Sequence, residues 1–232
     1  MAFCSVNLLT EIISLGLLLD LQENLLTSIP LGIISATKPN TLIDVFVRLF
    51  GLIGLSFPNF WLATLLLLFT SLYFHWIPGL TYVPLWENPI GNLKQMILPS
   101  VILSFQLMAI TMRMTRATMI EELKQDYIRT ARAKGLSMKI VVNKHAMKNA
   151  MIPILTIASV QFGYLLSGSV IIEQIFGLPG IGWFFLQGLL DRDYPVVQIM
   201  ALFMVCVFVF VNLLTDIAYA YLDPRIKYNI EQ

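Results

Sequence analysis

The sequence predicts an all-α integral membrane protein with about five transmembrane helices and one folded cytoplasmic loop. Three observations carry that prediction. Of 232 residues, 57% are hydrophobic and 12% charged, with mean hydropathy +0.77, whereas soluble domains carry about 25% charge. Long windows lack Asp, Glu, Lys and Arg altogether, at 24–37, 49–86, 95–112, 149–172, 174–190 and 194–215. Nine of the fifteen basic residues fall between Arg113 and Lys148. This composition argues against a water-soluble enzyme, and against disorder, which needs low hydrophobicity and high charge.

A membrane helix needs roughly 20 mostly apolar residues. Windows 95–112, 149–172 and 194–215 each read as one span. Window 49–86 holds one span followed by an uncharged external loop, because His75 to Pro89 is rich in Pro, Gly, Trp and Tyr. In window 174–190, Gly177, Pro179, Gly180 and Gly182 break the first half. A short surface helix or a re-entrant piece is expected there rather than a complete span. The first segment, Leu8 to Ala36, is long enough to cross, but Asp20, Gln22, Glu23 and Asn24 interrupt it. Each buried acid would cost on the order of 2.5–3.5 kcal/mol on insertion scales. No basic n-region precedes it, so it does not read as a signal peptide. Cys4 and Cys206 read as two small hydrophobes.

The positive-inside rule places the Arg113–Lys148 loop in the cytoplasm. Parity then puts 75–94 and the net acidic 173–195 outside, and 37–48 and the tail after Leu222 inside. Five spans would leave the N-terminus outside.

Within the loop, residues 117–134 contain neither Gly nor Pro, and Ile120, Leu123, Tyr127 and Ala131 recur as one helix stripe. Basic residues gather at its C-terminal end, which suits the helix macrodipole. Gly135 follows as a residue able to take positive φ. Ser137 is placed to cap a second helix, roughly 138–149, bearing Lys139, Lys144, His145 and Lys148, and Pro153 opens the next span. Ala131 and Ala133 beside Gly135 make a slim surface suited to a partner's groove. An orientation signal needs no such folding.

The run Asp126-Tyr127-Ile128-Arg129-Thr130-Ala131-Arg132-Ala133-Lys134-Gly135-Leu136-Ser137, then His145-Ala146 and Asn149-Ala150-Met151-Ile152-Pro153, resembles the EAA loop of binding-protein-dependent ABC importer permeases. It is closest to the dipeptide/oligopeptide/nickel branch, where Arg-Thr-Ala replaces the Glu-Ala-Ala opening. Further segments look like that branch in its order: Ile29 to Ile33, Ser56 to Trp61, Leu98-Pro99-Ser100, Phe176 to Gly182, Asp193 to Val197 and Leu222 to Arg225. The resemblance covers about 25–228. It implies a transmembrane domain over 25–228 with a coupling loop at 113–149, a poorly matching segment at 1–24 and a cytoplasmic tail at 229–232.

The resemblance also implies a multi-pass subunit of the bacterial inner membrane, with its C-terminus cytoplasmic, that translocates peptides or similar small solutes. Its partners would be a second homologous permease, two cytoplasmic ATPases, an extracytoplasmic solute-binding protein and membrane lipid, with no nucleic acid. Tyr127, Arg129, Thr130, Ala131, Arg132, Ala133, Lys134 and Gly135 would be the ATPase-coupling residues. ATP and Mg would sit on the ATPases, since this chain lacks a G-x-x-x-x-G-K-[ST] sequence. Members of the family usually begin with another helix and an external segment, so an N-terminally truncated, non-functional remnant is the alternative reading. A self-contained channel would have no use for a docking loop.

Glu173, Gly177, Pro179, Gly180 and Asp216 are candidate gate or pathway residues. Glu173 reads either as part of an external gate or as an interfacial acid. Asp216, with Asn212, reads either as a functional intramembrane acid or as a helix-end hydrogen-bonding group. Met108, Met112, Met114 and Met119 read as pathway lining or as core. His75 and His145 lack neighbours at metal-ligand spacing, so no metal site is expected, and no Ser/His/Asp or Cys/His arrangement suggests catalysis.

Overall fold

The computed structural model describes residues 24–79, 81–166 and 170–222, apart from the side chains of Leu166 and Leu222. The expectations for Asp20, Gln22, Glu23 and the 229–232 tail lie outside these residues. The described residues are helical, with no strand among them. In chain order the helices are α1 (Asn24–Thr37), α2 (Leu42–Ser56), α3 (Asn59–Phe74), α4 (Pro89–Glu122), α5 (Asp126–Ala133) and α6 (Met138–Ile140). A π-helical stretch, Val141–Ala146, leads into α7 (Met147–Leu166), α8 (Val170–Phe176), α9 (Ile181–Leu190) and α10 (Tyr194–Leu222).

By length and composition α4 and α10 can each cross a membrane, and the bent pairs α2–α3 and α7–α8 bring the count among the described residues to as many as four. The first expected span is described only from Asn24, as the shorter α1. The span read into 49–86 falls on α2 and α3, which are bent by 99° at the break between them. Pro58 is the cause. It lacks an N–H, and its ring drives Phe57 into extended backbone at φ −104°, ψ 129°, which stops α2. Residues 75–79 and 81–88 form a loop, as expected. His75 ends α3 in the left-handed region at φ 49°, and buried Gln95 and Asn92 of α4 hold the loop. Gln95 Nε2 donates to the Gly79 and Thr81 carbonyls, while Asn92 Nδ2 donates to the Val83 carbonyl at 2.7 Å.

Two further boundaries differ from expectation. The 34 residues of α4 span about 51 Å at 1.5 Å per residue, well beyond a hydrocarbon core of about 30 Å. The expected span at 95–112 therefore runs without a break into the first part of the helix expected over 117–134. Pro153 lies inside α7 instead of opening it, and Ser137 occupies the N-cap position of α6 without a side-chain hydrogen bond. There the carbonyl of Ser137 alone accepts, from Ile140 and Val141 N–H at 3.0 Å each.

Small residues set the helix spacing. A Cβ on Gly54 would lie 2.6 Å from Ala109 Cβ, and one on Gly51 would lie 2.8 Å from Arg113 Cγ. The backbones of α2 and α4 therefore cross closely, as small-residue stripes permit where no hydrophobic force drives helices together. A buried polar cluster joins α1, α4 and α7. Asn24 Nδ2 and Thr111 Oγ1 both donate to Gln161 Oε1 at 3.1 Å, and Gln161 Nε2 donates to the Leu107 carbonyl at 3.1 Å.

Candidate functional site

The loop between α4 and α7 folds into a defined element. The main chain leaves α4 at Glu122, turns through Leu123–Gln125 and restarts as α5. Asp126 sits in the first turn of α5 and Arg132 in its last, each complementing the macrodipole. Gly135 closes it at φ +79°. Gly135 N–H donates to the Arg132 carbonyl at 2.9 Å and Leu136 N–H to the Ala131 carbonyl at 3.4 Å. This pair of bonds is the Schellman arrangement, which satisfies otherwise orphaned carbonyls and favours a residue without Cβ at the left-handed position.

The expected continuous stripe is broken because the helix phase resets at the turn. Ile128, rather than Tyr127, points inward and is fully buried with Ala131. They pack against Ala36, Met119, Val141, Val142, Ala146 and Ala150, with Ile120 and Leu123 alongside. Ala131 thus faces its own chain, and Ala133 alone of the two alanines is exposed. The outer face presents Arg129, Thr130, Arg132, Ala133, Lys134 and Gly135 to solvent. Arg129 meets Asp126 at 3.4 Å with both groups exposed, a pairing worth little.

Tyr127 lies at the edge and ties the element down. Its hydroxyl donates to the Glu122 carboxylate at the end of α4. Asn149 Nδ2, at the start of α7, donates to the Tyr127 hydroxyl at 3.1 Å and to Glu122 Oε2 at 3.4 Å. Partial burial, and then the Glu122 carboxylate, push the Tyr127 phenol up to about 12 from its ordinary 10.0. A phenol whose folded pKa is raised stabilises the fold below its unfolded value and loses that contribution only as pH climbs from about 10 to about 12. The latch is therefore closed throughout the physiological range. Tyr127→Phe removes the donor and leaves Glu122 and Asn149 with each other. Amide hydrogen exchange across α5 is expected to quicken several-fold, a loss of about 1–2 kcal/mol, with exchange in α10 unchanged. Glu122 and Asn149 were not legible as site residues, since nothing in their spacing announces the contact.

A second constellation gathers Glu173, Gly177, Pro179 and Gly180. Gly177 takes φ 62° and turns the chain back so that α9 begins beside α8. The Glu173 Oε2 accepts from Trp183 N–H at 2.6 Å, capping the start of α9 with a negative group where the macrodipole favours one. Gly180 and Gly182 leave room for that carboxylate. A Cβ on Gly180 would collide with the Glu173 carboxyl, and one on Gly182 would come within 2.8 Å of Val170 Cγ2. Glu173 thus caps a helix of its own chain and is half-buried. Gly180→Ala is expected to destabilise the protein by about 1–3 kcal/mol through overpacking, measured as a lower thermal midpoint in detergent, with Glu173→Ala/Gly180→Ala less affected than the sum of the single changes. Asp216 is not part of this group. It is exposed on α10, without a hydrogen bond or ion pair to the described residues.

The sequence pattern did not reveal the most thoroughly bonded charge. Asp44, fully buried, accepts from Arg116 Nε at 2.6 Å and Nη2 at 3.2 Å, from Ser35 Oγ at 2.6 Å and from Asn40 N–H at 3.0 Å. Arg48 Nη2 adds a contact at 3.3 Å. The spacing of Asp44 and Arg48 was the available signal; the Arg116 partner, 72 residues away, left none. Among the described residues no three His, Cys, Asp or Glu side chains group as metal ligands.

Residues 28–228 match the family described as binding-protein-dependent transport system inner membrane component. A Brucella abortus (strain 2308) protein, provisionally named a peptide transport system permease protein, is 43% identical over 86% of this chain and 63% of its own length. The oligopeptide transport system permease protein AppB of Bacillus subtilis is 40% identical over 88% of this chain and 65% of its own. The dipeptide transport system permease protein DppB of the same species is 40% identical over 87% and 63%. The chain therefore spans under two thirds of the length of these relatives. With a match running from α1 to beyond α10, it belongs to the family of inner membrane components of binding-protein-dependent transport systems.

Proposed function

We propose that the chain is a permease subunit of an ABC importer that moves peptides or similar small solutes across the bacterial inner membrane. Separate ATPases supply the energy. The observation that carries this reading is α5, an eight-residue helix with an apolar face sunk between α4 and α7 and a cationic face turned outward. An isolated helix of that length would not persist in water, so its order comes from packing and from the Tyr127 latch. Such an element moves as a rigid body with the two long helices it joins, and packed interfaces switch between discrete arrangements rather than bending continuously.

In this reading ATP and Mg bind the ATPases, and closure of the ATPase pair displaces α5 and so changes the packing of α4 and α7. A second, homologous permease completes the pathway and an extracytoplasmic binding protein delivers the solute. The names of the relatives support a peptide cargo. The basic loop supports a cytoplasmic location for α5 and for the C-terminus. The test is purification of the tagged chain in mild detergent from its native host, followed by reconstitution of whatever assembles with it. Co-purified ATPases and ATP-driven uptake of a labelled peptide are expected. A chain recovered without ATPases would overturn the reading.

A further inference from the structure

We propose that the cleft between α2 and α4 is a binding site for one anionic phospholipid. The cleft is open, with a volume of about 620 Å³, and Arg48, Arg113 and Arg116 share its lining with Leu52, Leu55 and Ile110. Ile157 of α7 also lines it. The inference rests on the membrane location of the family and is independent of ATPase coupling.

Charge balance comes first. Asp44 is the carboxylate facing these arginines, at 2.6 Å from Arg116 and 3.3 Å from Arg48. Arg113 has no carboxylate or hydrogen-bond partner among the described residues. Three guanidinium groups against one carboxylate leave two positive charges at one end of an apolar groove. Arg113 is also held in place. Its stem crosses α2 at Gly51, where a Cβ would lie 2.8 Å from Arg113 Cγ, so the absence of a side chain there admits it. Asp44 is saturated by its own partners and cannot neutralise Arg113 as well.

The shape selects the ligand class. A guanidinium fork matches phosphate oxygens, and basic pockets between membrane helices accept anionic headgroups. Arg113 ends the uncharged window 95–112, the depth at which a headgroup meets its acyl chains. The wall beyond it is apolar and open, with Leu52 56% and Leu55 37% exposed, so it suits acyl chain rather than a free phosphate.

The test is native mass spectrometry of the full chain in mild detergent, titrated with phosphatidylglycerol, cardiolipin, phosphatidylcholine of matched chains, and glycerol phosphate. One anionic lipid per chain is expected, held about tenfold more tightly than phosphatidylcholine, equivalent to about 1.4 kcal/mol. Arg113→Gln should reduce its retention to the phosphatidylcholine level. Leu55→Trp, which fills the apolar wall and leaves all three arginines, should weaken it with unchanged circular dichroism, and so tests the site even if the arginine variant misfolds. Equal retention of phosphatidylcholine overturns the proposal. So does undiminished binding in either folded variant, or competition by glycerol phosphate as strong as that of the intact lipid, which would mark a free-phosphate site.

Discussion

Replacing Asp44 with alanine is expected to lower the stability of the protein by about 3–5 kcal/mol, the usual consequence of leaving a buried charge without its partner. Arg116 approaches Asp44 with two nitrogens, at 2.6 and 3.2 Å, and the Asp44 carboxylate is fully buried while Arg116 is largely so. Ser35 and the Asn40 N–H spend their hydrogen bonds on the same carboxylate. Removing it therefore disconnects the end of α1, the start of α2 and the C-terminal part of α4 in one step. The measurement is thermal unfolding in detergent together with the steady-state amount of protein in the membrane. Asp44→Asn/Arg116→Gln should recover part of the loss, because two neutral amides can share a hydrogen bond and no lone charge remains. If the double variant proved as unstable as Asp44→Ala, charge pairing would not be the cause.

Gly135→Asp is expected to abolish ATP-driven uptake while the protein remains in the membrane at its normal level. The position takes φ +79°, and a Cβ built there meets nothing within 4 Å. The cost within this chain is therefore conformational alone, about 1–2 kcal/mol for a residue other than glycine in the left-handed region, and aspartate is among the residues that tolerate it. A change so mild for the fold should silence transport only by disturbing what docks against the exposed end of α5, where it also sets a negative charge among Arg129, Arg132 and Lys134. The comparison is vesicle uptake against membrane abundance. Wild-type uptake in the variant would dismiss the coupling role of this helix.

These two residues mark opposite ends of what sequence reasoning reaches. Gly135 was legible because its chemistry is local: a residue without Cβ after a helix-forming run, with arginine in the last turn, specifies a left-handed cap from neighbours within six positions. The bend at Pro58, the loop from His75 and the short α9 after the Gly/Pro cluster were expected or explicable on the same terms. The pause at Leu123–Gln125 was not, since no Gly or Pro lies there. The chain breaks because Leu123 on one side and Ile128 on the other must reach the same cluster around Met119, Val141 and Ala146, and packing overrides a helix propensity worth only tenths of a kcal/mol per residue.

Membrane character, the helical class, the basic loop and the glycine-capped helix within it follow from composition, uncharged windows and near-neighbour punctuation. Those properties depend on solvation and on backbone preferences that each short stretch carries with it. The partners of the buried polar groups do not. Asp44 with Arg116 and Asn24 with Gln161 are separated by 72 and 137 residues. A polar group in an apolar interior must find some partner, and the chain alone states that need without saying which group answers it. The answer comes from which helices cross closely enough. Here that is set by glycines such as Gly51 and Gly54, whose missing side chains bring α2 against α4.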